Sequence, residues 1–283
     1  MLGAMIGDIA GSRFEFNNIK TKNFTLFTKD CFFTDDTVMT VAVARALLQT
    51  GGAQGAFQKA LVGEMQALGQ KYPNAGYGGF FSRWLQTPHP QPYGSFGNGS
   101  AMRVSPCGWA AKTLEEALAL AKRSAEVTHD HPAGIRGAQA VAAAIFLARR
   151  GKSKEEIRAY IEKDFYPLRK TLDEIRPHYT FDETCPGTVP PAMQAFLEAK
   201  DFEDSIRLAV SLGGDSDTLA AITGSIAEAY FGIPNSLRRT ALSYLPHDFA
   251  ATIDTFARRF LNEQRQLPGS TPAADQKQNT NPK

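Results

Sequence analysis

Helical periodicity runs through nearly all of this 283-residue chain, and no other feature limits the possible folds as strongly. The stretch from Asp36 to Gln49 is apolar on almost every side, which predicts a buried helix. Four further stretches are predicted to be helical: 133–150, 217–231, 235–245 and 248–264. Only residues 23–27 suggest a strand. We therefore predict an all-α protein.

Helix ends support this prediction. Two residue pairs are typical of a capping box at a helix start: Ser153 with Glu156, and Thr113 with Glu116. Asp248 is a predicted N-cap. Gly151 and Gly232 follow two of the predicted helices, as expected of C-caps.

Three glycines near the N-terminus, Gly3, Gly7 and Gly11, recur at four-residue spacing. Each glycine costs a helix about 1 kcal/mol relative to alanine, so a row of three needs a compensating gain. Close approach of another element supplies one, because small residues let two backbones come together. We expect a central helix in a compact orthogonal bundle, with residues 1–264 forming one domain and 265–283 a disordered tail.

Composition excludes several classes of protein. The 31 Lys and Arg residues nearly balance 29 Asp and Glu, so neither nucleic acid nor anionic lipid is the expected partner. The longest uncharged core-like run, 137–148, is shorter than the ~20 residues of a membrane span. Cys31, Cys107 and Cys185 are widely spaced and contain no Cys-x-x-Cys pair, which favours a reducing compartment over disulfides or structural zinc. We predict a cytoplasmic protein.

Two segments place several carboxylates beside threonines immediately before an apolar helix: residues 34–37 (Thr-Asp-Asp-Thr) and residues 213–218 (Gly-Gly-Asp-Ser-Asp-Thr). Each could simply cap its helix. One cap needs one such side chain, however, and clustered carboxylates repel one another unless a cation lies between them. Carboxylate and hydroxyl oxygens favour Mg²⁺ or Mn²⁺ over Zn²⁺.

Two other polar segments stand out. The loop 93–100 is rich in glycine, serine and asparagine, whose backbone amides can converge on a pyrophosphate, although ordinary turns use the same residues. Arg103 follows it, as either an added positive charge or a buried structural arginine. Residues 128–132 contain His129 and His131, which could equally be solvated histidines at a helix end.

Five motifs in this order resemble the ADP-ribosylglycohydrolases, the family of the dinitrogenase reductase-activating glycohydrolase. They are residues 7–11 followed by Glu15, residues 34–36, 97–103, 128–129 and 213–218. The resemblance covers about residues 1–264. It implies an all-α fold around a two-metal centre and hydrolysis of the bond that links ADP-ribose to an acceptor.

The resemblance also implies roles for individual residues. The implied ligands of two Mg²⁺ ions, with Mn²⁺ as an alternative, are Thr34, Asp35, Asp36, Asp215, Asp217 and Thr218. The implied ADP-ribose-binding residues are Gly97, Asn98, Gly99, Ser100, Ala101, Met102 and His129. Glu15 corresponds to the acidic residue near the reacting ribose, and whether Glu15, Asp35 or Asp36 is the general base stays open.

Two other functions remain possible at this point. The dipeptide His129-Asp130 is found in His-Asp-type metal phosphohydrolases, which are also helical, although the Asp-rich clusters fit that class poorly. A non-catalytic ADP-ribose-binding regulator is the second alternative. The acceptor, an ADP-ribosylated protein or a small molecule, is left undetermined. Segment 166–191 is expected to shape the entrance to the site.

Overall fold

The computed structural model describes residues 1–261. Within that range it contains fifteen α-helices: α1 Leu2–Gly11, α2 Asp35–Thr50, α3 Ala56–Lys71, α4 Gly79–Gln86, α5 Gly99–Met102, α6 Ser105–Ala110, α7 Leu114–Glu126, α8 Pro132–Arg149, α9 Lys154–Asp164, α10 Leu172–Ile175, α11 Cys185–Glu198, α12 Phe202–Val210, α13 Ser216–Phe231, α14 Asn235–Leu242 and α15 His247–Phe256. A 3₁₀ turn, Ser12–Phe14, follows α1, and a π-helical turn, Ala257–Leu261, follows α15.

The all-α prediction is confirmed. No strand is present in residues 1–261, where a single antiparallel bridge joins Gly97 to Thr184. The strand suggested at residues 23–27 is wrong: this stretch is irregular chain between α1 and α2. The predicted tail, 265–283, lies outside the described residues, as does the end of the helix predicted over 248–264. None of the described helices combines the length and the apolar character that a membrane crossing requires.

Helix α1 is the buried centre of the fold, and all ten of its residues are buried. Its glycines lie directly against α13. A Cβ atom built on Gly3 would lie 2.2 Å from the carbonyl oxygen of Gly224, and one on Gly7 only 2.0 Å from that of Ala220. The backbones of α1 and α13 are therefore in contact along this row, which also includes Gly11, as the four-residue spacing predicts.

Helix starts agree with the capping signals in part. Ser153 forms both halves of the predicted capping box at α9. At α7, Thr113 accepts as predicted, but its partner glutamate accepts from the backbone N–H of Lys112 instead. The prediction of Asp248 as an N-cap is wrong, since α15 begins one residue earlier with Pro246 in that position. The Asp248 carboxylate instead pairs with cationic side chains of α2 and α3.

The N-terminal ends of α2 and α13 meet beside α1. Asp8, on α1, accepts hydrogen bonds from the backbone N–H groups of Thr34 (3.0 Å) and Thr37 (3.1 Å), which fixes the start of α2. The glycine row fixes the position of α13, because it brings the backbones of α1 and α13 into direct contact. Across the junction the Thr218 hydroxyl donates to Asp36 Oδ2 at 3.2 Å. The two acidic segments, 180 residues apart in sequence, therefore share one site.

Candidate active site

A cleft of about 260 Å³ opens where α2 and α13 begin. Most of the site residues predicted from the sequence line it: Glu15, Asp35, Asp36, Gly97, Asn98, Gly99, Met102, His129, Asp215, Asp217 and Thr218. The cleft wall thus combines a set of carboxylates with the glycine-containing segment 97–99 and His129. The side-chain amide of Asn98 joins the two groups by donating to Asp215 at 2.7 Å.

The carboxylates form a tight, mostly buried cluster. Glu15, Asp215 and Asp217 each offer an oxygen within 4.8 Å of the others. Asp215 accepts a 2.7 Å hydrogen bond from the side-chain amide of Asn98. Asp36 joins the cluster through Thr218. Like charges this close repel strongly in a medium of low dielectric constant.

The pKa values of these groups reflect burial first and mutual repulsion second. Both effects hold the pKa values of Asp35, Asp36 and Asp217 well above the usual range of an aspartate. Burial also raises the pKa of Asp215. Glu15 is only partly buried, and burial followed by the charge of Asp215 raises its pKa to about 7. The site strongly favours added positive charge.

The residues present fit a hard divalent cation. Asp36 Oδ1 and Asp217 Oδ1 are buried, and within residues 1–261 neither has a hydrogen-bond partner. A buried carboxylate oxygen without a partner is costly, and coordination to a cation removes that cost. The other donors around them are carboxylate and hydroxyl oxygens, the ligands that Mg²⁺ and Mn²⁺ prefer.

Thr34 differs from the other predicted ligands. Its hydroxyl donates to Asp8 Oδ1 at 2.8 Å and accepts from the backbone N–H of Asp36, and among residues 1–261 Thr34 is not one of those lining the cleft. Thr34 thus caps α2 and donates to Asp8. The role of Asp8 in holding the start of α2 was not predicted from the sequence. The assignment of Thr34 as a metal ligand stays a prediction.

The segment 97–102 is only partly exposed to the cleft. Ser100 is buried and donates to the carbonyl of Gly134 at 2.8 Å, and Ala101 is also buried, so neither lines the cleft. The backbone N–H of Asn98 already donates to the carbonyl of Glu183 at 2.7 Å. The backbone N–H of Gly97 donates to the Ser95 hydroxyl at 3.2 Å. Fewer amides of the loop 93–100 are therefore free to converge on a ligand than the sequence predicts, although Gly97 and Gly99 line the cleft.

His129 is buried at the cleft wall, at the end of α7. Arg103 is also buried and donates to the carbonyl of Ser124 and to the hydroxyl of Thr128. These bonds match the buried structural arginine, and because Arg103 also lines the cleft, its role as an added positive charge stays a prediction. His131 is exposed and caps α8 by accepting from the backbone N–H of Ala133, which matches the solvated-histidine alternative.

Comparison with known proteins identifies the fold. The sequence profile of the ADP-ribosylglycohydrolases matches residues 1–269. The chain belongs to the ADP-ribosylglycohydrolase family. Among solved structures it is similar to an ADP-ribosylglycohydrolase-related protein complex, with a TM-score of 0.69, 26% identity, and coverage of 91% of this chain and 95% of that one.

The named relatives of this chain share about a quarter of its residues over most of its length. ADP-ribosylhydrolase ARH3 of Homo sapiens is 27% identical over 333 residues, covering 89% of this chain and 90% of the relative. ADP-ribosylarginine hydrolase Tri1 of Pseudomonas putida (strain GB-1) is 26% identical over 266 residues, covering 82% and 70%. Homologues of this chain are therefore ADP-ribosyl hydrolases.

Some residues that line the cleft were not predicted individually from the sequence. Phe80, which is 71% exposed, stacks on Tyr93 with ring centroids 6.3 Å apart, and both line the cleft. Glu183 adds a further carboxylate from segment 166–191, which the bridge between Gly97 and Thr184 holds against the cleft. The glycines around residue 78 were a possible sequence signal for Phe80. No residue pattern close to Glu183 predicted that this side chain lines the cleft.

Proposed function

We propose that this protein is a divalent-cation-dependent hydrolase that cleaves the glycosidic bond between ADP-ribose and an acceptor. The observation that carries the proposal is the buried carboxylate cluster in the wall of the cleft, with two oxygens unpartnered within the described residues, in a chain of the ADP-ribosylglycohydrolase family. Two Mg²⁺ ions, or Mn²⁺ in their place, are the cations that we propose for it.

The proposed ligands lie in the acidic segments at the starts of α2 and α13: Thr34, Asp35, Asp36, Asp215, Asp217 and Thr218. When bound, such ions orient a ribose diol and stabilise negative charge that develops near the reacting carbon. Asn98 supports this part of the site by holding the Asp215 carboxylate through its 2.7 Å hydrogen bond.

Among the three candidates for the general base, we assign proton transfer to Glu15. Asp36 is buried, and burial with the charges of neighbouring carboxylates holds the pKa values of both Asp35 and Asp36 well above the usual range, whereas Glu15 is partly exposed in the cleft with its pKa raised to about 7. A base whose pKa lies near the working pH accepts a proton most effectively. Its carboxylate also favours an oxocarbenium-like transition state through its negative charge.

The part of the cleft wall formed by Gly97, Gly99 and His129 is suited to ADP-ribose itself. Neither glycine has a side chain to keep a ligand from its backbone, and His129 Nε2 would lie 3.1 Å from a Cβ atom on Gly99. We propose that the diphosphate lies here. The stacked rings of Phe80 and Tyr93 line the same cleft and offer planar apolar surface.

The alternative of a His-Asp phosphohydrolase loses its support. Asp130 is exposed and accepts from the backbone N–H of Gly94 at 2.7 Å, while His129 Nδ1 pairs with the Thr128 hydroxyl. Both members of the dipeptide are thus engaged in other contacts. Turnover measurements will decide between a hydrolase and the alternative of a non-catalytic regulator.

The deciding experiment presents the purified protein and Mg²⁺ with arginine-linked, serine-linked and nucleic-acid-linked ADP-ribose, and measures release by chromatography. We expect free ADP-ribose from at least one linkage, and its loss in excess chelator. Release of inorganic phosphate would instead indicate a phosphohydrolase. Tight binding of ADP-ribose without turnover of any linkage would identify a regulator.

A further inference from the structure

Three buried side chains form a hydrogen-bonded row in the wall of the cleft. Arg103 donates from its guanidinium to Thr128 Oγ1 at 2.8 Å, and Thr128 Oγ1 lies 2.7 Å from His129 Nδ1. The end of α7 holds the last two in place, because the backbone N–H groups of Thr128 and His129 both donate to the carbonyl of Ala125. The row ends at His129, which lines the cleft.

The direction of the hydrogen bonds follows from the chemistry of the three groups. A guanidinium only donates, so Thr128 Oγ1 is the acceptor from Arg103. The single hydroxyl proton of Thr128 then needs an acceptor, and His129 Nδ1 is the one within reach among residues 1–261. Nδ1 therefore carries no proton. Burial, and then the charge of Arg103, hold the pKa of His129 well below its usual value, so the ring is neutral and its proton is on Nε2.

The protonated nitrogen faces the glycine segment. A Cβ atom on Gly99 would lie 3.1 Å from His129 Nε2, and one on Gly97 would lie 3.5 Å from it. Within the described part of the chain, no hydrogen bond occupies Nε2, although the side chain is buried. An N–H group aimed at the two glycines that we assign to the diphosphate is therefore available for a ligand.

We propose that Arg103 and Thr128 are positioning residues that fix His129 as a neutral Nε2–H donor to an anionic oxygen of the ADP-ribose diphosphate. The ligand in this inference rests on the proposed function. The opposite tautomer would turn a bare nitrogen lone pair toward the phosphate oxygens, which repels them. The relay thus removes a competing state before the ligand arrives. Arg103, which also lines the cleft, donates its hydrogen bond to Thr128 Oγ1 and so sets the direction of the row.

Thr128→Val tests the relay, because valine keeps the branched shape and removes only the hydroxyl. Thr128→Ser is the matched control that retains it. We expect Thr128→Val to weaken ADP-ribose binding, measured by calorimetry, by about tenfold or more, since a hydrogen bond to a charged group is lost or misdirected. Thr128→Ser should bind within a few-fold of the wild type. Melting temperatures of both variants establish that they are folded.

Nitrogen-15 NMR of the ligand-free protein reads the tautomer directly, and a His129→Asn spectrum assigns the signal. The wild type and Thr128→Ser should show a neutral ring protonated on Nε2, and Thr128→Val should show a mixture. A wild-type ring that is protonated on Nδ1, or a folded Thr128→Val with wild-type affinity, would overturn the relay. A wild type that binds no ADP-ribose would overturn the proposed function and the ligand named here, whereas the tautomer is measured without any ligand.

Discussion

At the residue scale, the decisive property is a set of buried carboxylates that oppose one another. Asp36, Asp215 and Asp217 are buried, and the charges of neighbouring carboxylates raise the pKa values of Asp36 and Asp217 beyond the effect of burial. Such a cluster weakens the folded state when no cation is present, and a cation reverses the effect. Function and instability therefore have the same origin in these side chains.

The substitution Asp217→Asn separates the effect of this carboxylate on stability from its effect on activity. At pH 8 with chelator, we expect a higher melting temperature than in the wild type, because one buried negative charge is gone. The difference should shrink as the pH is lowered, since the raised pKa lets the wild-type carboxyl take up a proton. Addition of Mg²⁺ should raise the wild-type melting temperature but hardly that of the variant, and turnover should fall roughly 10²–10³-fold.

Calorimetric melting with and without Mg²⁺ provides the measurement, and Asp254→Asn is the control. Asp254 is an exposed carboxylate on α15, so its neutralisation should change neither property. A Mg²⁺-dependent rise that is the same in Asp217→Asn as in the wild type would mean that Asp217 does not bind the cation.

Glu15→Gln tests the assignment of the base. Glutamine keeps the size of the side chain but cannot accept a proton, so turnover should fall roughly 10²–10⁴-fold while ADP-ribose binding changes little. In the wild type, kcat/KM should rise as Glu15 loses its proton, and this rising limb should be missing from the residual activity of the variant. An unchanged pH profile in Glu15→Gln would move the role of base to Asp35 or Asp36.

At the element scale, the contact between α1 and α13 positions the site. The glycine row lets the two backbones touch, and this contact places the start of α13 beside Asp8 and the start of α2. A side chain in the row would push α13 outward. The carboxylates of the two acidic segments would then separate, so packing far from the cleft controls its geometry.

Gly7→Ala should therefore destabilise the protein strongly. The added Cβ would lie 2.0 Å from a backbone oxygen that cannot rotate away, and overpacking of this kind costs about 1–3 kcal/mol or more. Gly63→Ala is the matched control: Gly63 lies exposed within α3 with nothing within 4 Å of the added atom, and alanine should stabilise the helix by up to about 1 kcal/mol. Urea denaturation compares the two. Equal stabilities would show that α1 and α13 can separate freely.

At the scale of the whole molecule, the carboxylate cluster sets the pH dependence of stability. The pKa values of Asp8 and Glu15 are raised to about 6 and about 7, and those of Asp35, Asp36 and Asp217 are held well above the usual range of an aspartate. Above about pH 4 the folded state therefore binds more protons than the unfolded state. By linkage, the free energy of unfolding of the metal-free protein falls as the pH rises.

We expect the melting temperature in chelator to decline steadily from about pH 5 to pH 8. Saturating Mg²⁺ should flatten this decline, because it compensates the charge that deprotonation exposes; at a hundredfold excess over Kd, binding of one ion adds about 2.7 kcal/mol. Differential scanning calorimetry at a series of pH values makes the comparison. A metal-free protein that becomes more stable toward pH 8 would contradict the buried, repelling cluster.

The sequence alone determined the elements of this protein and the identity of most groups in its cleft. Periodicity and glycine stops are local, so α2, α8 and α13 were predicted to within one or two residues. The row from Gly3 to Gly11 predicted a close backbone contact. The acidic segments at the starts of α2 and α13 predicted a cation site, because carboxylates that cluster at helix starts exceed what capping requires.

Only the tertiary structure decided which atoms face the cleft. Ser100 turns inward and Thr34 binds Asp8, although both stand within motifs whose other members line the site. Glu183 reaches the cleft through a backbone bridge to a distant loop, and the row that ends at His129 begins at Arg103. A motif specifies which chemical groups are present, but their orientation depends on side chains tens of residues away, whose packing no local pattern encodes.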